Sequence, residues 1–213
     1  MRGGARLGHG QVIDSMFLDG LEDAYDKGRL MGTFAEDCAQ HYQFTREAQE
    51  AFAVESHRKA AEAQETGRFD DEIVAIETPD GVVDKDGCIR ADTTPESLAA
   101  LKVAFLAEGT VTAGTASPLT DGSSATLVTS EEFARAHGLP ILARIKSIAV
   151  SGCDPTIMGY GPVPSTQKAL KRAGITVKDL DIVESNEAFA VQAMTVAQEL
   201  GFNGAKVNLD GGA

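Results

Sequence analysis

The stretch DIVESNEAFAVQAMTVAQELGFNGAKVNLDGGA, residues 181–213, decides the fold class. DIVE (181–184) reads as a short strand. NEAFAVQAMTVAQELG then reads as a helix stopped by Gly201, and KVNL (206–209) as a returning strand. Two strands joined through a helix form a crossover unit, which places them parallel in one sheet. The stretch ends on Gly-Gly, the way a strand-to-helix turn opens in an α/β sheet.

Reading backward from this unit, the alternation continues. TQKALKRAG is helical with Gly174 at its end, and Thr176 and Asp179 cap a helical turn. ARIKSIAVSG (143–152) and ATLVTS (125–130) read as strands flanking a helix from Glu131 to His137. Upstream the chain is more helical. Arg46 to Gly67 runs without Pro or internal Gly, with Thr45 as N-cap and Gly67 as the stop. Thr33-Phe34-Ala35-Glu36 has capping-box spacing and opens a helix to about Tyr42. DEIVAIET (71–78) and VVDKDG are short strands around a Pro79-Asp80-Gly81 turn, and Pro95-Glu96-Ser97 opens a short helix through Leu101. The whole is an α/β chain with crossover units and a helical insertion.

Composition bounds the function. The 213 residues carry 19 Lys+Arg against 32 Asp+Glu, a net charge of −13. A nucleic-acid binder shows a basic excess, and a membrane-surface protein a basic amphipathic face; this chain has neither. No apolar run is long enough to span a bilayer, and MRGGARLGHG lacks the apolar core of a signal peptide. The three cysteines, Cys38, Cys88 and Cys153, suit a reducing cytoplasmic setting better than a disulfide framework. Residues 14–96 hold 21 of the 32 acids, a shift that implies two regions.

Candidate chemistry is sparse by motif rules. RGGARLGHG (2–10) lacks the Gly-Lys-Ser/Thr ending of a phosphate loop, and Gly159-Tyr160-Gly161 lacks the third glycine of a dinucleotide site. His9, His41, His57 and His137 show no metal-ligand spacing, and His57 reads as solvated on its helix. Cys153, after an apolar strand, is either a reactive thiolate or a small buried hydrophobe. Asn186 sits at the strand-to-helix turn where α/β sheets bind ligands. It either caps the helix or donates its amide N–H to a developing oxyanion. GTVTAGTASPLTDG (109–122) is uncharged but for Asp121 and rich in small residues. It reads as a surface loop or as a place of close backbone approach to an amide- or phosphate-bearing tail.

Taken in order, GTVTAGTAS…DG, GCDPTIMGYGPVPS, ESNEAFA and VNLDGGA resemble the thiolase family, as does MGTFAEDCAQHYQFTREAQEAFAVESHRKAAEAQ, which looks like the thiolase loop region. The resemblance covers essentially the whole chain. It implies a layered α/β/α/β/α fold when complete, of which this chain holds the loop domain and parts of two similar halves. Residues 1–115 would be the end of the N-terminal half with a mostly helical coenzyme A-binding loop region. Residues 116–213 would be the remainder of that half and the start of the C-terminal one. The implied activity is acyl transfer between a 3-ketoacyl-CoA and CoA through a cysteine acyl-enzyme. Coenzyme A is then substrate, with no tightly bound cofactor and no metal. The implied assembly is a homo-oligomer, dimer or tetramer.

The resemblance also assigns residues. Asn186 matches the family asparagine that holds an oxyanion-hole water. Ala188 and Phe189 match the lining of the pantetheine tunnel, and Ala113 and Ser117 match pantetheine contacts. Met158 matches an acyl-pocket residue and Met31 a loop-region methionine. Arg90 matches the arginine packed on the CoA adenine, with Ser97, Leu101 and Phe105 as further CoA contacts. Leu30-Met31-Gly32 departs from the His-Met-Gly of many acetoacetyl-specific members, and Thr115 stands where many have Asn, so the acyl pocket could suit a longer chain. Cys38, Cys88 and Cys153 match none of the family's catalytic cysteines, and the Gly-His-Pro histidine motif lies beyond Gly-Gly-Ala. The chain is thus expected to be a central piece of a longer enzyme, inactive and marginally folded alone. The alternative is a truncated relative that binds CoA or a partner without chemistry.

Overall fold

A computed structural model describes residues 8–212. The RGGARLGHG glycine run falls mostly outside them. After a short π-helical turn at Phe17–Leu21 comes α1 (Met31–Tyr42), followed by α2 (Arg46–Glu65), whose N-cap Thr45 accepts from Ala48 N at 3.2 Å as the sequence predicts. Strands β1 (Ile76–Thr78) and β2 (Gly81–Val83) pair antiparallel. Then come α3 (Pro95–Ala99), α4 (Glu131–Ala136), α5 (Pro162–Ala173) and α6 (Ala190–Leu200), with a 3-10 turn at Pro155–Tyr160. Gly174 and Gly201 close α5 and α6 in the left-handed region, at φ 70° and 64°.

Helix α6 is the shared wall of the molecule. It packs against α1, α2, α5 and the 155–160 turn. Ala190, Val191, Ala193, Thr195, Val196 and Leu200 are all buried. On one side Val191 joins Ala35, Cys38, Ala39 and Val111, with Phe105, Ile157 and Phe189 packed against them. On another, Val196 and Leu200 meet Val163 of α5, flanked by Tyr160 and Phe202. Of the crossover unit expected from DIVE (181–184) and KVNL (206–209) only a single parallel bridge forms: Val183 N donates to Lys206 O at 2.8 Å and Asn208 N to Val183 O at 2.9 Å, and Lys206 ends a 3-10 turn (Gly204–Lys206) rather than opening a strand.

Several sequence expectations are corrected. The helix expected from Thr33 begins at Met31, and the Thr33 hydroxyl donates back to Leu30 O at 2.8 Å instead of capping. Glu36 does not close a capping box, because its carboxylate is taken by a distant backbone loop. DEIVAIET contributes only residues 76–78 to a strand. The segments 125–130 and 143–152 run without ladder partners, so no strand forms there. A strand exists only through a neighbour's N–H and C=O groups, which the described residues do not supply. The apolar side chains of these segments are accordingly bare, with Ile148 75% and Val150 83% exposed. The ends of the second segment are tied to α5 instead: Arg172 donates to Ile148 O at 2.6 Å and Lys168 to Val150 O at 3.0 Å. Among the described residues no helix is long and apolar enough to cross a membrane, and no cluster of three or more His, Cys, Asp or Glu could hold a metal.

His57 is half-buried rather than solvated, and its Nδ1 accepts from Arg90 N at 3.2 Å, tying the 84–94 segment to α2. Burial first, and the Arg90 charge second, hold the ring below its usual value of 6.5 against the opposing pull of Glu187 and Asp92. The unfolded chain therefore takes up the proton first as pH falls. His57 contributes stability above pH 6.5 that is lost as the medium acidifies. We expect the melting temperature of His57→Gln to depend less on pH below 6.5 than that of the unsubstituted chain. Truncating Val191, a fully buried residue of α6 packed against α1, should cost about 2 kcal/mol in denaturant unfolding as Val191→Ala.

Candidate functional site

The turn at 112–117 and the loop at 186–190 meet edge to edge. Ser117 N donates to Ala188 O at 3.0 Å and Ala190 N to Thr115 O at 2.9 Å, making an antiparallel bridge between Ala116 and Phe189. The turn is satisfied internally. Thr115 Oγ1 accepts from Thr112 N at 3.0 Å and donates to Thr112 O at 3.3 Å, and Thr112 Oγ1 accepts from Gly114 N at 3.2 Å. Both threonines are buried, so their hydroxyls take the place of water for this backbone. The 109–122 stretch is buried and tightly turned at its start and exposed from Ser117 onward.

Glu36 of α1 anchors the strand-like entry to this turn. Its carboxylate, 6% exposed, accepts from Thr110 N at 2.9 and 2.8 Å, from Val111 N at 2.8 Å and from the Thr110 hydroxyl at 3.0 Å. Charge-assisted bonds to several donors are what make a buried carboxylate tolerable. Gln49 of α2 donates to the same Thr110 hydroxyl at 2.9 Å. The turn is thereby held from both α1 and α2.

Around it the sequence-assigned residues gather unevenly. Phe105 meets Phe189 edge to face at 6.0 Å between ring centroids, and its ring lies over Gly32, where any Cβ would overlap it. Met31, the residue before Gly32, is half-buried. Ala113 lies exposed on the turn. The next residue, Gly114, lies under Leu98 and Leu101, whose methyl carbons would stand 2.5 and 2.8 Å from an added Cβ. Helix α3, carrying Ser97, and Leu101 just beyond its end are set by Arg46. That guanidinium pairs with Glu50 at 2.6 Å and donates to the terminal carbonyls of Leu98, Ala99 and Leu101 at 3.1, 3.1 and 2.7 Å. Ser97 itself completes a capping box with Thr94.

Two adjacent residues of α2 reach the remaining segments. His57 accepts from the Arg90 backbone, and Ser56 donates to Glu187 Oε2 at 2.6 Å. Asn186 precedes that glutamate and is exposed; it does not cap α6, which begins at Ala190 with Phe189 in the cap position. Met158 is 43% exposed on the 155–160 turn, whose Ile157 joins the Phe105–Phe189 core cluster. Cys153 is half-buried beside Gly161, and Cys38 is fully buried, where desolvation pushes its thiol up. The burial of Cys38 disfavours its thiolate, the nucleophilic form.

A cavity of about 620 Å³ also borders Asn186, yet it is lined by none of the binding residues assigned from sequence. Its walls are α5, α6 and the two extended segments around Lys146 and Ile182. Its apolar lining (Leu170, Ile182, Val196) faces backbone that lacks ladder partners. Sequence reading missed the residues that position the site, Glu36, Arg46, Ser56 and Asn208. Each acts through a contact across the chain, and only Glu187, in the same dipeptide as Asn186, stood near a flagged position.

Comparison with known proteins agrees with this architecture. Residues 1–132 match the thiolase N-terminal domain and residues 139–213 the thiolase C-terminal domain. The chain is 50% identical over its whole length to an acetyl-CoA acetyltransferase of Pseudomonas aeruginosa, of which it covers 55%. It is 53% identical over 92% of its length to a 3-ketoacyl-CoA thiolase of Shewanella baltica, of which it covers 54%. Human mitochondrial 3-ketoacyl-CoA thiolase, solved in complex with CoA, superposes with a TM-score of 0.92 at 39% identity, over 100% of this chain and 53% of that one. The chain thus spans about half the length of the relatives it matches. With a parallel bridge joining the segments on either side of α6, its helical region packed on that helix and both domain signatures in order, the chain belongs to the thiolase family, as a fragment of its α/β fold.

Proposed function

We propose that the protein to which this chain belongs transfers an acyl group between a 3-ketoacyl-CoA and CoA. The supporting observation is the bridge that seats Ser117 against Ala188 and Phe189, one residue beyond the Asn186–Glu187 dipeptide. It joins a turn suited to an amide-bearing tail to the loop that carries the oxyanion candidate. The names of the relatives, acetyl-CoA acetyltransferase and 3-ketoacyl-CoA thiolase, point the same way.

In this reading the pantetheine arm runs past Ala113, Ser117, Ala188 and Phe189, with Phe105 and Met31 behind it. Arg90, Ser97 and Leu101 receive the nucleotide end. Met158 borders the acyl group. Asn186 holds a water whose hydrogen bond stabilises negative charge on the thioester oxygen as it develops. A cysteine outside this chain attacks the substrate carbonyl, the bond to the acetyl-CoA carbon breaks, and that carbanion is protonated; CoA thiolate then takes the acyl group from the cysteine. Residues 1–115 and 116–213 contribute the two sides of this channel, and the whole protein works as a homo-oligomer in the cytoplasm. The net charge of −13 repels a phosphate-bearing ligand at long range, so Arg90 and Lys102 supply the local attraction.

In the full-length protein, Asn186→Ala should lower kcat for acetoacetyl-CoA thiolysis about 100- to 1000-fold, the usual effect of losing one oxyanion donor. Arg90→Ala should raise KM for CoA about 10-fold while kcat holds, as expected for a contact equal in ground and transition states. An unchanged KM in that variant would overturn the placement of the nucleotide end. The isolated 213-residue chain, whose cysteines match none of the family's catalytic ones, should show no thiolysis; turnover by it would contradict the assignment of the nucleophile to another part of the protein.

A further inference from the structure

We propose that Asn208 is a positioning residue for Asn186, an inference that rests on the acyl-transfer reading above. Its carboxamide grips the residues on both sides of Asn186. Asn208 Oδ1 accepts from Ser185 N at 2.8 Å, and Nδ2 donates to Ser185 O at 2.8 Å and to Glu187 Oε1 at 2.7 Å. Ser185 and Glu187 flank Asn186 directly, so one side chain sets the path of the backbone through it. Glu187 is held at its other oxygen by Ser56 of α2, at 2.6 Å. The loop bearing Asn186 is thus fixed between α2 and the segment after α6.

Two features separate this role from ordinary strand pairing. The backbone bond from Asn208 N to Val183 O is independent of the carboxamide. Asn208 is also 3% exposed and held at φ 45°, a left-handed conformation that Asn adopts more readily than most residues and that Ala would resist. A well-placed clamp on neighbouring backbone controls where the Asn186 amide, and any water it holds, lies relative to the reacting oxygen. Small displacements there are costly to the chemical step. The charged and titratable groups on the elements packed against this clamp are His57, Lys59 and Arg68 on the α2 side and Asp210 beside it. Lys59 donates to Val207 O at 3.1 Å, and Arg68 pairs with Asp210 at 2.6 Å.

The test uses the full-length protein and acetoacetyl-CoA thiolysis. Asn208→Gly keeps the left-handed backbone and removes the carboxamide; kcat should fall about 10- to 100-fold with KM for CoA changed less than about twofold. Asn208→Asp keeps the acceptor for Ser185 N but sets a carboxylate against Glu187. Its kcat should fall at neutral pH and recover toward acid pH, as a proton shared by the pair restores the donor. Adding Glu187→Gln to Asn208→Asp exchanges donor and acceptor across the 187–208 pair but leaves Ser185 O without its donor, so activity at neutral pH should recover in part, above that of Asn208→Asp alone. Unchanged kcat in Asn208→Gly, alongside a loss in Asn186→Ala, overturns the proposal. So does an Asn208→Asp variant with no recovery at acid pH, even where Asn208→Gly fails to fold. Unchanged kcat in Asn186→Ala would instead overturn the acyl-transfer reading itself.

Discussion

Burial of α6 on several sides is the constraint on which the rest of the chain hangs. From Ala190 to Leu200 its only charged residue is Glu199, and small or β-branched side chains line most of its circumference. A helix apolar on so many faces cannot sit on a surface; it must be enclosed. α1, α5, the 155–160 turn and part of α2 supply the enclosure. Several of the candidate residues are placed by reference to it. Phe189 enters at its cap position, the 112–117 turn bonds to its first residue, and the segments on either side of it form the parallel bridge.

Buried polar groups add direction to this packing. Glu36 accepts from two backbone N–H groups of the 110–111 segment, and Arg46 takes three carbonyls at the end of α3. Glu187 links Ser56 to Asn208. Such contacts are valuable chiefly because leaving the groups unmade would cost more than their net gain. They convert an apolar cluster, which tolerates sliding, into a frame with one register. Adjacent residues of α2 illustrate the economy: Ser56 holds the loop of Asn186, and His57 holds the backbone of Arg90.

Local chemistry made much of the helical part legible. Thr45 caps α2, the Thr176–Asp179 pair caps its turn, and Gly174 and Gly201 end α5 and α6, each through interactions within a few residues. Where a residue had two possible partners, local reading failed. Thr33 and Glu36 have capping-box spacing, but Glu36 finds better donors 74 residues away. Asn186 looks like a helix cap, but α6 starts four residues later because the intervening backbone bonds to the 115–117 turn.

The sequence by itself determined the family, helix α6 and its stop, and the segments that carry the candidate chemistry, because periodicity, caps and ordered motifs are written in contiguous residues. Tertiary structure alone decided which of those segments meet. It seats Ser117 against Ala188 and Phe105 over Gly32, and it closes the Asn208 clamp around Asn186. It also decided that 125–130 and 143–152, strand-like by composition, remain unpaired. The reason is the same in each case: side-chain pattern is local, whereas a ladder, a clamp or a ring contact needs a partner that only the folded chain can bring within reach.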